Sequence, residues 1–124
     1  VNLSNHPIPT WSPEQTAAAR ALGLGEPADL QGGMPLVPPE IGPEDIDAMA
    51  AGLIERALAQ RPRGAHVAGE FTLTHALVER LQALGIPCFV ATTRREVTSA
   101  PQPDGTLLRH ATFRFVRWRA YVSR

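Results

Sequence analysis

The sequence contains no lysine: all twelve of its basic residues are arginine. Lysine chemistry, whether Schiff base or general base, is therefore excluded. A cationic side chain that meets a phosphate here must be the planar guanidinium fork. A single cysteine, Cys88, rules out an intrachain disulfide and a cysteine-rich metal centre, and its apolar setting, Ile86-Pro87-Cys88-Phe89-Val90, predicts a buried thiol. No apolar run approaches the roughly 20 residues that cross a bilayer, and no signal peptide is legible at the start. The expectation is a soluble, cytoplasmic protein with no membrane partner. Glycine-rich phosphate loops and dinucleotide fingerprints are absent. His66 and His75 lie on different elements, so neither a metal site nor a cofactor is expected.

What is present fits one domain. A chain of 124 residues with 44% hydrophobic and 19% charged residues has enough apolar surface for one modest core. The net charge of zero hides an asymmetry. Residues 1–60 hold two arginines against eight acids, a balance of −6, and residues 61–124 hold ten against four, +6.

Along the chain, Val1 to Ser4 reads as a short strand, and Pro7 and Pro9 keep residues 5–10 in a loop. Ser12-Pro13-Glu14-Gln15 is a helix start, with Ser12 as N-cap, Pro13 at the first position and Gln15 as capping partner. Ala28 to Leu30 is a weak second strand, followed by a Gly/Pro-rich loop to Pro43 whose length marks it as functional or mobile. A second helix carries Ile46, Met49, Ala50, Leu53, Ile54 and Ala57 at helical spacing. Ala65 to Gly69 forms the third strand, Leu73 to Leu84 the third helix, and Pro87 to Ala91 the fourth strand after a Gly85 stop. This alternation predicts an α/β fold with a mostly parallel sheet, flanking helices and, from Val97 to Val122, a C-terminal β-hairpin. A bulge near Val116 would bring Ala111, Phe113 and Phe115 onto the same face as Trp118 and Ala120. That alternation also explains arginines interleaved with aromatics without invoking a long nucleic acid.

Open parallel sheets bind ligands beyond the carboxyl ends of their strands. Three segments occupy such ends: Ser4-Asn5-His6; Gly69-Glu70-Phe71-Thr72 with Thr74 one turn on; and Thr92-Thr93-Arg94-Arg95. Gly69 would admit a ligand close to the backbone, and Thr72 would cap the helix whose free N–H groups can hold an anion, or simply close a tight turn. Thr92 to Arg95 suits phosphate or ribose, or is a solvated connection. His6 is a candidate acid or base or a structural histidine. Trp11 is either a hydrophobic staple or a platform for a base.

Asn2-Leu3-Ser4-Asn5-His6-Pro7, Trp11-Ser12-Pro13-Glu14-Gln15, Gly69-Glu70-Phe71-Thr72, Ala91-Thr92-Thr93-Arg94 and Phe113 through Tyr121 together resemble small stand-alone CRISPR-associated proteins related to the CARF domain, a Rossmann-like fold found beside type III systems. Some of these are ring nucleases that degrade cyclic oligoadenylate messengers. The resemblance implies a CARF-like, Rossmann-like sheet and a homodimer around one cyclic tetra-adenylate. It also implies metal-independent cleavage by a ribose 2′-OH, with His6, Arg94 and Glu70 in catalytic roles and Ser4, Asn5, Trp11, Gly69, Phe71, Thr72, Thr74, Thr92, Thr93 and Arg95 around the ligand. The alternatives are a protein that sequesters the messenger, a nucleotide or sugar-phosphate enzyme using Glu70, and a structural or regulatory subunit joined through the aromatic hairpin.

Overall fold

The computed structural model describes residues 1–124. Its elements are β1 (Asn2–Leu3), a 3-10 turn (Ile8–Thr10), α1 (Pro13–Ala21), α2 (Pro43–Ala59), β2 (Ala65–Val67), α3 (Phe71–Ala83), β3 (Cys88–Pro101) and β4 (Leu107–Ala120). The four strands form one sheet in the order β1-β2-β3-β4, with the first three parallel and β4 antiparallel to β3. The mixed α/β class, the mostly parallel sheet and the closing hairpin agree with the sequence pattern.

Helix ends follow the local chemistry. The Ser12 hydroxyl accepts from the Gln15 backbone N–H at 3.2 Å, and Pro13 occupies the first helical position. Gly42 precedes α2, where the Asp45 carboxylate accepts from the Gly42 N–H at 3.1 Å. At the end of α3, Gly85 adopts φ +76°, and the Ile86 N–H returns to the Leu81 carbonyl at 3.0 Å.

α2 and α3 cover one sheet face. Leu3, Val67 and Cys88 from three neighbouring strands meet Ala50, Leu53, Ala57, Leu77 and Leu81 there in one buried cluster. Arg80 bridges α3 to Asp47 on α2 at 2.7 Å. The Tyr121 hydroxyl reaches past β3 to the Val67 carbonyl at 2.7 Å, fixing the end of β4 onto this core. Val67 is fully enclosed, so Val67→Ala removes two methyl groups from the packed core. It is expected to cost about 2 kcal/mol, measured as a shift in urea midpoint at constant slope. α1 lies on the opposite face, where the Trp118 indole N–H donates to the Gln15 carbonyl at 3.3 Å.

Two expectations are corrected. Ala28 to Leu30 is not a strand but a single bridge, Asn2 to Asp29, with Pro27 on one side and the Gly32 turn on the other. The start of the Gly/Pro loop is tied to α2, where Arg56 donates to the Gly33 carbonyl at 2.7 Å and Gln60 bonds Asp29 and Gln31 just before it. The last parallel strand does not stop at Ala91. β3 runs on to Pro101, because β-branched Thr92, Thr93, Val97 and Thr98 favour extended backbone and β4 pairs with it throughout.

The expected bulge is present. Thr92 pairs with Arg117 and Thr93 with Phe115, leaving Val116 unmatched. Register therefore sorts the ribbon into two faces. Phe113, Phe115 and Trp118 share one with Thr93, Arg95 and Val97, while Arg114, Arg117 and Arg119 share the other with Thr92 and Arg94.

Candidate functional site

The carboxyl ends of β1 and β2 open into a crevice of about 170 Å³. Asn5, Gly69, Glu70 and Thr74 line it from the strand ends and α3, and Met34 to Val37 of the Gly/Pro loop form the opposite wall. Two of the three segments picked out by the strand-end rule thus meet. Gly69 sits at φ +148°, yet a side chain there would touch nothing within 4 Å. The backbone conformation favours glycine here, and the space that a Cβ would take is open.

Glu70 caps α3, correcting the assignment of that role to Thr72. Its carboxylate accepts from the Leu73 N–H at 2.9 Å and from the Thr72 hydroxyl at 2.6 Å. Those bonds, the hydroxyl first, hold the Glu70 carboxyl below the usual carboxylate range. The helix N-terminus is thereby served by the protein's own anion, and Glu70 is poorly suited to be a general acid near neutral pH. Phe71 and Thr72 lie just outside, along an adjoining groove formed with Ile41, Pro43, Ile46 and His75. Phe71 is almost wholly exposed.

The third segment belongs to the ribbon. Val67 follows the His66–Phe89 pair and so lies beside Val90, which places Arg94 about 13 Å farther along β3. The Thr92 hydroxyl bonds the Arg117 carbonyl at 3.0 Å. Arg94 and Arg114 stand directly opposite each other, with only Glu96 near Arg114, at 3.9 Å. Thr93 and Arg95 point to the aromatic face instead. The segment is therefore split between two faces, which a turn reading of these residues did not foresee.

Beneath the first segment lies a buried polar network that sequence reasoning missed. Asn2 donates from Nδ2 to the His6 carbonyl at 2.8 Å and to Asp29 Oδ1 at 2.9 Å. Its Oδ1 accepts from the Ser4 hydroxyl at 2.7 Å and lies 2.8 Å from His66 Nδ1. Because Oδ1 can only accept, the proton of His66 sits on Nδ1. The Ser4 hydroxyl accepts in turn from the His6 N–H at 3.2 Å, and the Trp11 indole N–H donates to the His6 carbonyl at 2.9 Å. Ser4 is buried structure, while the His6 side chain is exposed at the sheet edge. Trp11 packs on the α1 face, its ring 5.7 Å from His66 and 5.2 Å from Trp118. A polar residue within each of two short strands, Asn2 and His66, was the available signal.

Burial pushes the Cys88 thiol up to about 11. The expected outcome is no reaction of the folded protein with an aromatic disulfide reagent, and one thiol released on unfolding.

No curated protein and no solved structure matches the chain. Residues 1–119 match the family model described as the uncharacterized protein MJ1673 family, so the chain belongs to that family.

Proposed function

We propose that the protein is a homodimeric ring nuclease that binds a cyclic oligoadenylate, cyclic tetra-adenylate by preference, and cleaves it without a metal. The observation that carries this reading is the placement of a crevice bearing Asn5, Glu70 and Thr74 and an arginine-bearing ribbon face along one edge of the sheet. Arg94 lies about 13 Å along β3 from the level of Val67, an interval that a ring of several phosphates is wide enough to span. The motif resemblance to CARF-related proteins points to the same ligand.

In this reading Arg94, with Arg114 opposite it, faces phosphate oxygens. Asn5, Thr74 and the free oxygen of Glu70 meet ribose hydroxyls. A ribose 2′-OH loses its proton to a base, for which exposed His6 is the candidate, and its oxygen attacks the adjacent phosphorus in line. The P–O5′ bond breaks, the 5′ oxygen takes a proton, and a linear product with a 2′,3′-cyclic phosphate results. The second copy meets the ribbon, where Val97, Leu107 and Phe113 are more than half exposed. A two-stranded ribbon is marginal alone, so a partner sheet or helix would also stabilise it. Phe113→Glu is expected to convert a dimer to a monomer by light scattering.

The test is incubation with labelled cyclic tetra-adenylate in the presence of a chelator, followed by chromatography. The reading expects the linear cyclic-phosphate product, with Arg94→Ala slowed about 100-fold and His6→Ala slowed comparably. Tightly bound but uncut ring would instead support sequestration, the second reading, which the commitment of Glu70 to capping favours. Loss of all turnover in Glu70→Gln together with no ring binding would support a different phosphate enzyme.

A further inference from the structure

The α1 face of the sheet, remote from the crevice, carries a second pocket. Trp11, Trp118, Phe89, Leu22 and Leu24 wall it, and His66 forms part of its floor. The enclosed part measures about 60 Å³ and opens to solvent past Pro27 and Glu26. His66 is only 8% exposed, and its Nδ1 proton is held by Asn2. That leaves Nε2 as a bare acceptor with no hydrogen bond from the protein. No fully enclosed side-chain nitrogen or oxygen in the molecule lacks a partner, so Nε2 keeps its access through the pocket that His66 lines. An acceptor that keeps access only through the pocket takes its hydrogen bond from whatever donor enters there.

We propose that this pocket binds the edge of a planar, N–H-bearing heteroaromatic ring, the chemical class of the nucleobases, with the ring N–H donating to His66 Nε2. Three features select that class. The acceptor demands a donor. The indole rings of Trp11 and Trp118, tilted 57° to one another, and the Phe89 ring offer aromatic surfaces for edge or offset contact. The enclosed volume admits a ring edge and no more, the remainder lying in the apolar mouth beside Leu22 and Leu24. The Nε2 lone pair disfavours an anion at that point, and the nearby Glu26 carboxylate is paired with Arg20 at 2.8 Å. The site is independent of the proposed ring-nuclease activity.

The protein's two tryptophans both line the pocket, so their indole N–H resonances in a ¹⁵N–¹H spectrum report on it directly. The full chain is titrated near neutral to slightly basic pH with benzimidazole and, in parallel, with 1-methylbenzimidazole, in which a methyl group replaces the donor hydrogen, and with benzofuran, which has the bicyclic shape and no N–H. The expected result is a saturable shift of both indole signals with benzimidazole and binding about ten-fold or more weaker for the two probes without a donor, the worth of one hydrogen bond. Leu24→Trp, which fills the mouth without touching the Asn2 network, is expected to abolish the shift. Equal binding of benzimidazole and either donorless probe would overturn the donor–acceptor pairing. No shift with any probe, or an unchanged shift in Leu24→Trp, would overturn the site itself.

Discussion

Replacing Asn2 with leucine is expected to cost about 4 kcal/mol of folding stability, a large share of what a domain of this size possesses. The shapes are similar, so packing changes little. What changes is that the His66 Nδ1 proton loses its partner, and the Ser4 hydroxyl, the Asp29 carboxylate and the His6 carbonyl each lose one of theirs. Asn2 is 4% exposed, which leaves water little room to replace the amide. Thermal unfolding followed by circular dichroism is expected to shift down by roughly 15 °C. Asn2→Asp separates geometry from charge. It keeps an acceptor for His66 and Ser4 but sets a second carboxylate against Asp29, so it is expected to destabilise as well. A leucine variant that melts within a few degrees of the parent would show that the network contributes little.

The second large effect is the loss of stability in mild acid. Burial, and after it the positive charge of His6, lowers the pKa of His66 from the ordinary 6.5 to about 4. The folded state thus holds this imidazole neutral in a range where the unfolded chain protonates it. Its contribution is complete above pH 6.5 and is lost as the pH falls from 6.5 to 4, with about 2 kcal/mol gone by pH 5 and about 3 kcal/mol in all. Urea titrations at pH values between 7 and 5 measure this slope, and it is expected to flatten in His66→Phe. An equal slope in parent and variant would assign the acid sensitivity to other groups.

Much of the fold was legible because helix signals are local. The Ser12-Pro13 start, the apolar spacing from Ile46 to Ala57 and the Gly85 stop each act within a turn or two, and each is found where the pattern places it. The Val116 bulge was legible too, since only a register skip unites Phe115 with Trp118, whose rings lie 5.6 Å apart. The site was legible in half. Asn5, Gly69, Glu70 and Thr74 converge because strand ends of parallel neighbours must lie on one edge.

Thr92 to Arg95 misled because a polar run after an apolar strand looks like a turn. In a ribbon that leaves the core behind, polar residues suit both faces, and hydrophobic alternation no longer marks the strand. Asn2 and His66 were opaque for a different reason. They are 64 residues apart in sequence, and only the β1–β2 register sets them side by side.

On the proposed function one cyclic ring lies against the crevices of two chains, and the stoichiometry of binding tests this most directly. Isothermal titration of the protein with cyclic tetra-adenylate, under conditions too brief for turnover, is expected to give one ring per two chains. Thr74→Trp, which fills the crevice from the half-buried first turn of α3, is expected to remove the binding while leaving the unfolding curve near that of the parent. One ring per chain would contradict the account, as would no heat of binding or full affinity in Thr74→Trp.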